Sequence, residues 1–269
     1  MRYTVNCSIL LTERPLLERP AAARAAGFDG VEFWWPFEVG RPEQQDVAAF
    51  EKAVRDQGLQ LTGLNLHAGD RSAGERGLLS VPHRVRDLRD SLDVVTAIGE
   101  LTGCRAFNAL YGSRLPITTA EQDAVAVDNL VLAAAAVGRI GGTVLLEPRS
   151  GADGYALRSS SHALALVSEA GARGADNVLL LADLYHLAEL GEDVPNVLAE
   201  HTAEIGHVQI ADSPGRGAPG TGQLDLRGWL QLCEQLGYDG FVGLEYACPA
   251  ATAFDWLPRL SRGFGSAPG

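Results

Sequence analysis

Paired cysteines are missing from this sequence. The four that occur, Cys7, Cys104, Cys233 and Cys248, are scattered and make no CxxC. That pattern suits a reducing compartment, with each thiol expected as a small buried hydrophobe. Long apolar runs are missing too: no stretch of about 18 apolar residues occurs, so no membrane span is expected. The opening stretch MRYTVNCSIL carries no signal-peptide core with a small-residue cleavage site, and a cytoplasmic location is expected. Nor is there a surplus of basic charge. Lys and Arg number 22 against 34 Asp and Glu, a net charge of −12. Such a surface repels phosphate backbones, so no general nucleic-acid partner is expected. No GxGxxG follows the first strand-like run and no Walker A motif occurs, which weakens an open nucleotide-binding sheet.

What is present is a regular alternation. The 269 residues are 46% hydrophobic and 21% charged, enough for one substantial core. Short β-rich runs are read at 3–8, 30–33, 59–64, 105–110, 143–147, 178–183, 207–211 and 241–245. Between them lie helical segments such as RVRDLRDSLDVVTAIGELTG and AEQDAVAVDNLVLAAAAVGRI, whose apolar positions recur every three or four residues. Glycines at 27, 58, 103, 171, 206 and 237 are read as helix ends turning into strands. Eight strands alternating with about eight helices predict an α/β fold, a single (β/α)8 TIM barrel over residues 1–269. The stretch at 67–84 reads as an elaborated third βα loop.

In such a barrel the active site lies at the C-terminal ends of the strands. Strand five ends at Glu147, six at Asp183 and eight at Glu245, while strand seven carries Gln209 and Asp212. Steps of 36, 26 and 36 residues separate Glu147, Asp183, Gln209 and Glu245, each one βα repeat. Three carboxylates aimed at one axis repel strongly unless a cation sits among them. Carboxylate and amide oxygens suit a hard divalent metal, Mg²⁺ or Mn²⁺, better than zinc. Each acid can also simply cap its strand or open a helix. As a set they point to proton chemistry beside a carbonyl, with Glu147 and Glu245 as base and acid in a 1,2-proton shift. His186 and Arg216 are then expected to orient the substrate.

These residues carry a resemblance. The stretches GVEFWWP (30–36), AGDRSAGERG (68–77), LLEP (145–148), DLYH (183–186), GHVQIADSPGRGAPGTG (206–222) and GLEY (243–246) resemble the hydroxypyruvate isomerase family of the xylose-isomerase-like TIM-barrel superfamily. The likeness spans nearly the whole chain, and the loop after strand seven is its most specific part. It implies interconversion of hydroxypyruvate and tartronate semialdehyde, or of a related short 2-oxo acid. It implies metal ligation by Glu147, Asp183, Gln209 and Glu245, with proton transfer by the two glutamates. Related epimerases place histidine where Gln209 stands, so glutamine tilts the reading toward the hydroxypyruvate branch. The superfamily is compatible with a homodimer. Two stretches depart from the pattern. The loop after LLEP is shorter and begins with Arg149, and Ala247 stands where the family tends to carry lysine.

Other candidates are two-sided. His67 can touch substrate or cap a loop. Arg76 can hold a substrate carboxylate or pair with Glu75 or Asp70. Glu32 can bind substrate or support those that do, one of Trp34 and Trp35 is expected to line the pocket, and His207 is placed at the barrel bottom. A ketose 3-epimerase shares the same chemistry. A non-catalytic sugar-binding barrel belongs to another class, and fold alone does not decide it. Phosphodiester cleavage of the endonuclease IV kind needs many histidines, and only His67 and His186 fall near the mouth.

Overall fold

Aliphatic runs such as TVLL and VLLLAD have no polar face, as strands covered by helices on one side and by a barrel interior on the other require. The computed structural model, which describes residues 1–152 and 154–264, folds them that way. Its strands are β1 (Arg2–Asn6), β2 (Gly30–Phe33), β3 (Gln60–Asn65), β4 (Ala106–Asn108), β5 (Thr143–Leu146), β6 (Val178–Asp183), β7 (Ile205–Ile210) and β8 (Phe241–Leu244). All pair in parallel in chain order, and β8 pairs back onto β1 to close the barrel. Around them run α1 (Arg19–Ala26), α2 (Gln44–Arg55), α3 (Val85–Thr102), α4 (Thr119–Gly138), α5 (Ser160–Ala172), α6 (Leu184–Glu189), α7 (Val194–His201) and α8 (Leu226–Gln235). The expected (β/α)8 barrel is the observed fold. Among the described residues, no helix is long and apolar enough to cross a membrane.

Several expectations need correction. Two helices follow β6, and no α-helix follows β8 among the described residues. Instead the chain after β8 ends in a short 3-10 turn, Arg259–Ser261, and is tied down by Arg262, which donates to the carbonyls of Ala26, Phe254 and Leu257. Gly171 lies inside α5 and Gly206 inside β7 rather than at helix ends. Strands β5 and β8 stop one residue before Glu147 and Glu245. Pro148 has no N–H with which to carry the β5 ladder further. Three cysteines are buried as expected, but Cys248 is only half-buried. The elaborated third loop folds back on the end of β4: Leu79 and Ser80 N–H donate to the carbonyls of Leu110 and Tyr111.

Candidate active site

Four side chains converge where β5 to β8 run out. Glu147, Asp183, Gln209 and Glu245 are only 3%, 1%, 4% and 3% exposed. Register pairs Asp183 with Gln209 and Gln209 with Gly243. The position beside Gln209 on β8 is therefore a glycine, and Glu245 stands two residues farther toward the mouth.

The space at Gly243 is filled from across the barrel. A Cβ there would lie 2.8 Å from Gln209 Cγ and run into Glu32 Oε1. Glu32 Oε1 accepts from Gln209 Nε2 at 2.8 Å and from Asn6 Nδ2 at 3.3 Å; its Oε2 meets His207 Nε2 at 2.7 Å. Glu32 thus supports the site from beneath it. His207 lies inside the barrel, buried in this network, and not at the bottom: β7 begins two residues earlier, at Ile205. The network sets the amide of Gln209. Its NH2 faces Glu32, so its Oε1 is turned away, buried and without a protein partner among the described residues. Gly243→Ala should push Glu32 off Gln209 and weaken divalent-metal binding about 10- to 100-fold, the usual cost of losing a group that orients a ligand. Calorimetric titration with Mn²⁺ checks this; an unchanged affinity rejects the orienting role.

Glu147 is held by one oxygen. Its Oε2 accepts from Asn108 Nδ2 at 2.8 Å, while Oε1 has no hydrogen bond. Asp183 serves two purposes at once. Its Oδ1 caps α6 by accepting from the N–H groups of Tyr185 and His186, and its Oδ2 lies 3.3 Å from Arg216. Capping the helix and facing the cluster are thus compatible in this one acid.

Glu147, Asp183 and His186 form a cluster whose potential donor atoms lie within 4.8 Å of one another. The hydrogen bonds of His186 argue against it as a ligand. Its Nδ1 receives the Ser150 backbone N–H at 3.2 Å and lies 2.8 Å from Ser150 Oγ. Burial, then the charges of Arg216 and Arg149, hold its pKa well below 6.5. A neutral ring accepting at Nδ1 carries its proton on Nε2. That N–H points toward Asp183 Oδ2 at 3.6 Å and Glu147 Oε1 at 3.7 Å. With its proton there, Nε2 is a free donor rather than a lone pair offered to a cation.

Arg216 supplies positive charge inside this cluster. Its guanidinium donates to Glu245 Oε1 at 2.6 Å and approaches Asp183 Oδ2. Glu245 also accepts from Trp34 Nε1 at 3.2 Å and Asn6 Nδ2 at 3.1 Å. Trp34 thus lines the site, while Trp35 packs on Phe37 and His67. The loop that presents Arg216 is built on Asp212. Its Oδ1 accepts from the N–H of Ser213 and Leu224, and its Oδ2 from Gly220 and Gly222. Arg216 itself has φ of 55°, a left-handed backbone that side chains seldom adopt.

His67 and Arg76 are placed otherwise. His67 is buried beside Trp35 and makes no hydrogen bond or ion pair with Glu147, Asp183 or Glu245; Arg76 donates to the carbonyls of Arg71 and Glu75, bracing its own loop. Sequence reasoning missed Asn6, Asn108 and Ser150, which hold the site residues but carry no charge signal. It also gave no site role to Arg149, whose Nε lies 3.5 Å from Glu147 Oε1.

The donor set fits a hard cation. Glu147 Oε1 and Gln209 Oε1 are buried oxygens without partners, beside two further carboxylates. Without such a cation the acids hold protons tightly. Burial raises Glu245 from 4.5 to about 8 and Asp183 from 3.8 to about 6, Arg216 opposing both shifts. The folded state then binds more protons than the unfolded chain across those windows, so stability falls as pH rises through them. We expect the melting temperature of chelated protein to drop from pH 4.5 to about 8, and added Mg²⁺ to flatten that profile. A chelated profile that climbs over this range rejects the assignment.

Comparison with known proteins agrees with this geometry. Residues 20–260 match the family model described as xylose isomerase-like TIM barrel. A Streptomyces coelicolor protein, provisionally named a hydroxypyruvate isomerase, is 48% identical over 97% of both chains. The hydroxypyruvate isomerase of Escherichia coli is 33% identical, covering 91% of this chain and 93% of its own. A 2-oxo-tetronate isomerase of Cupriavidus necator is 34% identical, covering 97% of this chain and 99% of its own. The chain belongs to the xylose isomerase-like TIM-barrel family.

Proposed function

We propose that this isomerase interconverts hydroxypyruvate and tartronate semialdehyde, or the matching forms of a slightly longer 2-oxo acid. The observation that carries the reading is the pair of buried glutamates, Glu147 and Glu245, on strands flanking Asp183 and the free oxygen of Gln209. Relatives named for hydroxypyruvate and for 2-oxo-tetronate support it. Glu147, Asp183, Gln209 and Glu245 would hold a divalent cation, Mg²⁺ or Mn²⁺, which when bound supplies positive charge next to the substrate's carbonyl and hydroxyl oxygens.

The protein's own groups handle the protons. One glutamate withdraws a proton from C3 of hydroxypyruvate, and its electron pair forms the C2–C3 double bond of an enediolate. The other glutamate returns a proton to C2, while the hydroxyl proton passes from O3 to O2. Atoms and charge balance, and no redox partner is needed. The His186 Nε2–H and the Arg216 guanidinium donate to the developing oxyanion. A net charge of −12 argues against a phosphodiester substrate.

The test is hydroxypyruvate in D₂O with Mg²⁺, followed by proton NMR. Loss of the CH₂ signal that needs enzyme, stops on chelation and yields tartronate semialdehyde supports the reading. Metal-bound protein that exchanges no proton from hydroxypyruvate or 2-oxo-tetronate overturns it. Exchange confined to ketoses would assign a 3-epimerase, and ligand binding without any exchange a non-catalytic barrel.

A further inference from the structure

Two guanidinium groups at the mouth have no assigned task. Arg149 is the more telling. Its side chain is 13% exposed and lies beside Glu147. Its Nε is buried without a hydrogen-bond partner among the described residues. Its guanidinium carbon is 6.0 Å from the ring of Tyr155. A buried guanidinium with unmatched donors is costly until an acceptor arrives. Glu147 Oε1 at 3.5 Å balances its charge but does not use its fork of N–H groups.

Arg71 stands on the other side. Its guanidinium carbon lies 4.4 Å over the Trp34 ring, and Trp34 in turn donates to Glu245. Among the described residues Arg71 has no ion pair. Partial cover by its neighbours, and then the charge of Arg149, lower its proton affinity, so the two cations act on one another. One guanidinium thus stands beside Glu147 and the other over the Trp34 ring that donates to Glu245. Arg216 is already committed to Glu245 and Asp183.

We propose that Arg149 and Arg71 together form the receptor for the substrate's carboxylate and so select 2-oxo acids over neutral ketoses. The planar fork of arginine matches a carboxylate, and two like charges facing one site are relieved when an anion enters between them. The inference rests on the 2-oxo acid reading above, and it names the residues that impose that choice.

The test uses metal-loaded protein and D-glycerate, an acid without a reactive carbonyl, with glycerol as its uncharged counterpart. Calorimetry should show glycerate but not glycerol binding to the parent. Arg149→Gln should weaken glycerate at least about 30-fold and Arg71→Gln about fivefold, in keeping with the loss of charge-assisted hydrogen bonds. The ratio of kcat/KM for hydroxypyruvate over dihydroxyacetone should fall in the same order. Arg149→Lys, which keeps the charge but not the fork, should recover only part of the loss. Equal losses for charged and neutral compounds, or unchanged glycerate affinity in both variants, overturn the proposal. A parent that binds no glycerate also overturns it. Should Arg149→Gln fail to fold, the exposed Arg71→Gln decides. If the parent turns over no oxo acid, the functional reading falls, yet the glycerate arms still judge the receptor.

Discussion

Glu245→Gln lowers kcat for the isomerisation at least about 10³-fold, as expected when a positioned acid–base group is lost. The substitution keeps size and an oxygen donor but removes the group that can exchange a proton. In the parent, that carboxylate is clasped by Arg216, Trp34 and Asn6, so its replacement has little room to move. Glu147→Gln should give a loss of similar size, since the proposed reaction gives it the other proton transfer. The double variant should be hardly worse than either single one, as is usual for groups that act as a unit. Steady-state rates and deuterium exchange in D₂O measure this. A single variant that retains a tenth of the activity removes that glutamate from the chemistry.

Asp212→Ala unfolds the strand-seven loop and destabilises the protein by about 4 kcal/mol, because four backbone N–H groups lose their acceptor and each net hydrogen bond is worth about 1 kcal/mol. Function should suffer more than stability. Arg216 holds a left-handed backbone only while the loop constrains it. Within that loop Asp212 and Gly217 exchange backbone hydrogen bonds in both directions, and the Arg216 carbonyl accepts from Ala247 N–H. Freed of this frame, Arg216 leaves Asp183 and Glu245, and kcat/KM should fall about 10²-fold, the cost of misplacing an orienting group. Asp212→Asn should be intermediate, since its amide offers one accepting oxygen and turns donors toward the remaining N–H groups. Thermal denaturation and kinetics on both variants decide it. Parent-like values for Asp212→Ala would show the loop to be held by its glycines and prolines alone.

The barrel was legible because strand and helix periodicities alternate eight times, and depth in the barrel follows from strand ends. Glu147, Asp183, Gln209 and Glu245 could be read off on that basis. Gly243 could not. Nothing local distinguishes a strand glycine that makes room for a carboxylate on a distant strand, and Glu32 is 177 residues from Gln209. His207 was misplaced because the start of β7 was read two residues late, which moved a buried interior residue to the barrel bottom. Arg76 looked available in the sequence, but loop carbonyls already occupy it, and His67 is buried beside Trp35. Arg149 was visible only as a departure from a pattern; its unmatched donors appear only in three dimensions.

Arg216 also bears on how the molecule is made. A site of three clustered acids would ordinarily tie maturation to an imported ion, because the acids repel until one arrives. Here part of the counter-charge is encoded in the chain, on a braced loop that reaches Asp183 and Glu245. That built-in charge lowers the repulsion the barrel must overcome to close, with or without a bound cation.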